Sequence, residues 1–128
     1  MPRPRILVVD DSATVLQILH AALVEDYDVE TAADGEEGLA KARRSPPDLI
    51  VTDSVMPALD GFGLLRRLQD DPATRAIPAI VLTSEDIGER PALPHDVRPA
   101  AVLTKSMDMA PLLQAIRAAL ESRPSVPF

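Results

Sequence analysis

Five short strand-like runs, four of them apolar and each closed by polar residues, constrain this chain more than any other feature. Arg5-Ile6-Leu7-Val8-Val9 runs into Asp10-Asp11-Ser12, and Val29 to Ala32 forms a weaker second run. Asp48-Leu49-Ile50-Val51-Thr52 ends at Asp53, Ile77 to Leu82 ends at Thr83-Ser84, and Ala100 to Leu103 precedes Thr104-Lys105. Short continuous runs rich in β-branched residues suit strands buried on both faces, as in a parallel sheet. Between them the period changes to that of a helix. Val15, Ile18, Leu19, Ala22 and Leu23 share one face over Ala13 to Val24. Asp34-Gly35-Glu36-Glu37 reads as a helix start, with Asp34 as N-cap and Glu37 at the capping-box position, and Ser45-Pro46-Pro47 stops that helix. A third helix runs from about Gly61 to Gln69 and is closed by Asp71-Pro72. The last spans Met107 to Glu121: Asp108 caps it, Pro111 sits in the tolerated first turn, and Leu112, Ile116 and Leu120 line one face.

Strand alternating with helix through short connections predicts an α/β fold, a doubly wound and mostly parallel five-stranded sheet with helices on both faces. One stretch breaks the alternation. Pro91, Pro94 and Pro99 fall where a fourth helix belongs, and an interior proline costs a helix about 3 kcal/mol. The fourth helix is therefore expected to be short or irregular, a turn from Ser84 to about Arg90 and then a loop to Arg98. The 128 residues suffice for one core and show no repeat or linker. The reading is a single domain over 1–128, with its core at about 5–121 and a frayed tail at 122–128.

Composition narrows the function. Twenty acidic residues against 13 basic ones leave a net charge of −7, which argues against direct contact with nucleic acid. Without cysteine there is no disulfide, thiol nucleophile or zinc–thiolate site. No apolar run approaches the roughly 18 residues of a membrane span. Met-Pro-Arg-Pro-Arg leads into a strand rather than a signal peptide, so a cytoplasmic protein without membrane contact is expected.

The carboxyl ends of the strands in such a sheet converge on one crevice. Asp10, Asp11, Asp53, Thr83, Ser84 and Lys105 all lie just past strand ends. Two carboxylates at ~4 Å repel by up to about 4 kcal/mol at an effective dielectric of 20. Such a cluster must hold a proton or bind a cation. Oxygen ligands without His or Cys favour a hard ion, Mg²⁺ or Mn²⁺. An ammonium, a hydroxyl and a metal-binding acid cluster are the parts that phosphoryl transfer requires, and a carboxylate can itself be the nucleophile, forming an aspartyl phosphate. No P-loop or GxGxxG follows the first strand, so a nucleotide is not indicated.

From Arg5 to about Leu120 these motifs, in order and each at a strand end, resemble the receiver domain of two-component response regulators. The matching residues are Asp10-Asp11-Ser12, Asp53 with Met56-Pro57 and Asp60-Gly61, Thr83-Ser84, Lys105, and the Ala33-Asp34-Gly35-Glu36-Glu37 helix start. The resemblance implies a chemotaxis-regulator-like, flavodoxin-like sheet of order 2-1-3-4-5. It implies that Asp53 accepts a phosphoryl group from a phosphohistidine on a sensor histidine kinase or histidine phosphotransfer protein. Asp11 and Asp53 would ligate Mg²⁺ directly, helped by the Val55 backbone carbonyl, with Asp10 acting largely through water. Lys105 would pair with the phosphoryl oxygens and Thr83 would hydrogen-bond one of them. Such a protein is a phosphoacceptor that catalyses its own phosphorylation and dephosphorylation, rather than an enzyme acting on other substrates, and it signals to a downstream protein. The side chains of Val55 and Glu85 stand where the family tunes dephosphorylation; an apolar Val55 cannot position water, which favours a long-lived phosphoryl group.

The chain departs from the family pattern at three places. Val102 stands where the family carries Tyr or Phe, Ser106 follows Lys105 where the family has a cis proline, and the prolines fall in the fourth helix. These predict an output surface unlike that of most members. Two alternatives stand beside the switch: a receiver-like interaction module that no longer switches, and a Mg²⁺-dependent phosphatase with an aspartate nucleophile. The second wants an acid two residues after the nucleophile, and Val55 occupies that place. His20 reads as an ordinary helix residue and His95 as a loop residue without a second ligand.

Overall fold

The computed structural model describes residues 3–56, 59–83, 96–105 and 108–121. The apolar runs form strands β1 (Arg5–Val9), β2 (Asp28–Ala32), β3 (Leu49–Asp53), β4 (Ala79–Thr83) and β5 (Ala101–Thr104). The amphipathic segments form helices α1 (Ala13–Leu23), α2 (Gly35–Arg44), α3 (Gly61–Gln69) and α4 (Ala110–Glu121). The strands make one sheet in the order β2-β1-β3-β4-β5, every pair parallel. This is the expected flavodoxin-like order.

The central strands alternate in which face each side chain meets, as a pleated strand must. Leu7, Val9, Ile50 and Val81 join the core under α2 and α3. Ile6, Val8, Val51 and Ile80 join the core under α1 and α4. Both faces are covered, so β3 and most of β1 and β4 are buried along their length. With two Phe, one Tyr and no Trp in the sequence, these cores are aliphatic. At the helix starts, the Ser12 hydroxyl accepts from the Val15 N–H, and Asp34 and Asp60 carboxylates accept from the Glu37 and Gly63 N–H groups. Each satisfies one of the amides left free by a helix start.

Several boundaries differ from the sequence reading. β4 begins at Ala79 rather than Ile77, because the Ile77 N–H closes a turn on the Thr74 carbonyl and Pro78 offers the sheet only its carbonyl, to the Ile50 N–H. β5 lies one residue later than expected, Ala100 serving as the step onto the Ala79 carbonyl. α4 begins at Ala110 rather than Met107. A helix started at residue 107 would need an N–H from Pro111 to close its first turn, and proline has none; Asp108 instead accepts from the Ala110 N–H just ahead of the helix. Ile18, read as core-facing, is half exposed on α1. The readings for Pro57, for the segment 84–95, for Ser106 and for the tail 122–128 lie outside the described residues. Among the described residues no helix is long and apolar enough to cross a membrane.

Candidate functional site

Asp53 is the last residue of β3 and Asp10 follows the last residue of β1, the two central strands, so the topology alone puts their side chains at one edge. Carboxylate oxygens of Asp10, Asp11 and Asp53 all lie within 4.8 Å of one another. The burial is graded: Asp10 is 1% exposed, Asp53 6%, and Asp11 is open to solvent. β5 brings Lys105 in from the side. Its Nζ sits 3.0 Å from Asp10 Oδ2 and 3.3 Å from Asp53 Oδ1. One ammonium therefore bridges the two buried carboxylates.

Backbone adds two further contacts. The Ser12 N–H donates to Asp10 Oδ1 at 2.9 Å, and the Val55 N–H reaches Asp53 Oδ1, the oxygen that also faces Lys105, at 3.5 Å. Asp10 Oδ2 is fully buried and receives no aligned hydrogen bond among the described residues; the Lys105 charge is its counterpart. Three clustered carboxylates share this single ammonium, and the negative charge left over at one edge is what a hard divalent cation neutralises. The donor set thus fits Mg²⁺ or Mn²⁺.

Protonation follows the same geometry. Burial pushes the Asp53 carboxyl above its ordinary value, and the Asp10 charge adds to this; Lys105 and the Val55 N–H offset only part. Burial works against the Lys105 ammonium, but Asp10 and Asp53 together outweigh it and hold its pKa above the ordinary lysine range. The site is built to hold positive charge between two acids.

Thr83 ends β4 at this edge, but its hydroxyl donates to the Leu103 carbonyl of β5 at 3.4 Å. It is satisfied by backbone here. Val102, paired with Val81 across β4 and β5, packs against the core under α2 and α3. The Val55 side chain is 72% exposed at the mouth of the crevice. Beside Lys105 an apolar hollow of about 480 Å³ opens between α1 and α4, lined by Ile18, Leu103 and Met109 among others.

One site residue carries no functional group. A Cβ on Gly61 would lie 2.3 Å from the Asp53 carbonyl oxygen, closer than any real side chain approaches. Glycine there lets the start of α3 press on the end of β3, where the Gly61 N–H donates to the Ser54 carbonyl at 3.0 Å. The sequence marks it only as part of the Asp60-Gly61 pair, with no signal of this close approach.

The model of the response regulator receiver domain matches residues 6–117. The chain belongs to that family. Protein PilH of Pseudomonas aeruginosa is 39% identical over 117 residues, covering 91% of this chain and 97% of PilH. The response regulator PleD of Caulobacter vibrioides is 49% identical over 83 residues, which cover 64% of this chain but 18% of PleD, so the chain spans under a fifth of that relative's length. The chemotaxis protein CheY4 of Vibrio cholerae superposes with a TM-score of 0.82 at 31% identity, covering 91% of this chain and 98% of its own. This is therefore a receiver domain of two-component signal transduction, and its acidic crevice stands at the strand ends.

Proposed function

We propose that Asp53 accepts a phosphoryl group from a phosphohistidine of a sensor histidine kinase or histidine phosphotransfer protein, and that the modified domain signals through altered protein contacts in the cytoplasm. The observation that carries this reading is Lys105 lodged between Asp10 and Asp53. An Asp53 carboxylate oxygen attacks the phosphorus in line, the P–N bond breaks, and the histidine nitrogen leaves with its bonding pair and takes up a proton. Lys105 then exchanges its Asp53 contact for the new phosphoryl oxygens, keeping its Asp10 partner. Thr83 would give up its bond to the Leu103 carbonyl to donate to the phosphoryl group. A Mg²⁺ held by Asp11 and Asp53, with the Val55 carbonyl and with Asp10 through water, would neutralise the charge that builds on the transferring group. Burial of Asp10 against Lys105 and exposure of Asp11 support that division of ligands. The domain acts on its own aspartate and is not an enzyme for other substrates.

The Val102 position supports a second reading, a receiver-like module that no longer switches. A small aliphatic side chain packed into the α2–α3 core has no ring to swing when Thr83 moves. Amide NMR with Mg²⁺ and beryllofluoride separates the two. A switch shifts resonances as far as Val102 and α4 in the wild type and none in Asp53→Ala; shifts confined to the crevice favour the second reading.

A further inference from the structure

Gly35 opens α2, the element before the strand that carries Asp53, yet it touches the segment that follows Asp53. A Cβ on Gly35 would lie 2.1 Å from the Leu59 carbonyl oxygen, 2.9 Å from Leu59 Cβ and 3.0 Å from its carbonyl carbon. The obstacle is backbone, which cannot rotate aside as a side chain can. Neither partner is free to retreat. The first turn of α2 is fixed by a reciprocal pair: the Glu37 N–H donates to Asp34 Oδ1 at 2.8 Å, and the Ala33 N–H donates to Glu37 Oε1 at 2.9 Å. Leu59 is 8% exposed, its side chain set in the α2–α3 core.

From Leu59 the contact continues to the acceptor in two residues. Asp60 caps α3, accepting from the Gly63 N–H at 2.7 Å. Gly61 rests on the Asp53 carbonyl and donates to the Ser54 carbonyl. A displacement of Leu59 thus has a two-residue route, through Asp60 and Gly61, to the backbone of Asp53 and Ser54.

We propose that Gly35 is a positioning residue for the phosphoryl acceptor: its missing side chain lets α2 seat the Leu59–Gly61 backbone, and so sets where Asp53 and Val55 stand relative to Asp10 and Lys105. The proposal rests on the reading of Asp53 as a Mg²⁺-dependent acceptor. It gives a role to a glycine otherwise read only as part of a helix start.

The test compares the full chain with Gly35→Ala and with Gly38→Ala, a control on the same helix whose added Cβ would meet the Val9 side chain, 2.9 Å at Cγ2, rather than backbone. Amide spectra are recorded without metal, then titrated with Mg²⁺ alone, and melting temperatures are measured. Gly35→Ala is expected to shift the Ser54 and Val55 amides before any metal is added, leave α4 unmoved, and weaken Mg²⁺ binding by about tenfold. Gly38→Ala should lower the melting temperature while leaving Mg²⁺ affinity within about twofold of wild type. A Gly35→Ala protein with wild-type Ser54 and Val55 amides and wild-type Mg²⁺ affinity, whatever its melting temperature, overturns the proposal. Should Gly35→Ala not fold, Asp34→Ala loosens the same turn without adding an atom. It must then move the same amides and weaken Mg²⁺ binding by at least about twofold, and unchanged values overturn the proposal equally. A wild type that neither binds Mg²⁺ nor takes a phosphoryl group from acetyl phosphate defeats the acceptor reading instead; the metal-free amide comparison still decides whether Gly35 positions Asp53.

Discussion

Asp53 carries the central conflict of the molecule at the scale of a single residue. Its carboxylate is buried beside another buried carboxylate, and one ammonium serves both. Because burial and the Asp10 charge raise its pKa above 3.8, the native state binds this proton more tightly than the unfolded chain. Its contribution to stability is thus full below 3.8 and is lost as pH rises through the raised native pKa. Asp53→Asn, without divalent metal, is predicted to stabilise the fold at neutral pH by on the order of 1 kcal/mol, and to flatten the stability profile just above pH 4. Denaturant midpoints across that range check both. Lys105 has the opposite logic. Its pKa lies above 10.5, so its stabilisation is full below that value and fades only as pH rises through the native pKa. Lys105→Met leaves two buried acids without a counter-charge and is expected to destabilise by roughly 1–3 kcal/mol at neutral pH. Saturating Mg²⁺ should recover part of that loss, because it supplies positive charge to the same acid cluster.

At the scale of elements, packing outweighs polar trim. Leu64 on α3 is wholly buried, and Leu64→Ala is predicted to cost about 2–5 kcal/mol. Five residues on, Gln69 uses its amide as a backbone substitute: its Nε2 donates to the Asp96 carbonyl at 2.6 Å and its Oε1 accepts from the Arg98 N–H at 2.7 Å. With the Arg66–Asp96 pair, it pins the approach to β5 against α3 over the buried Val97. Water can replace both of those exposed bonds, so Gln69→Ala should cost only about 1 kcal/mol. Chemical denaturation of the two variants tests the ranking. The elements themselves were legible because two periods alternate in the sequence, and Asp34 announced its helix by type and spacing. Two of the boundary errors sat at prolines. Pro78 and Pro111 each displace an element's start by removing one N–H, an effect that a hydrophobic pattern does not carry. The exposure of Ile18 was also hidden, since apolar period cannot tell a core from an apolar hollow on the surface.

Across the whole molecule, the parallel sheet gathers residues from positions 10 to 105 at one edge, and that convergence made the candidate site readable. Asp10, Asp11, Asp53, Thr83 and Lys105 were each identified by standing at a strand end. What the sequence did not carry was how they share partners: Lys105 bridging two acids, Thr83 satisfied by Leu103, and glycines whose only role is to admit a neighbouring backbone. Those depend on distances between elements rather than on residue type. Mg²⁺ binding to the folded crevice alone must stabilise the fold by mass action, about 2.7 kcal/mol at a hundred times the dissociation constant. The melting temperature of the wild type should therefore climb with Mg²⁺ concentration, and that of Asp53→Asn much less. The most direct test of the account is intact mass after incubation with acetyl phosphate and Mg²⁺, for wild type and Asp53→Asn. The account predicts one added phosphoryl group on the wild type, lost on chelation of the metal before the reaction, and none on the variant. A phosphoryl group on Asp53→Asn, or none on a wild type shown to bind Mg²⁺, contradicts it.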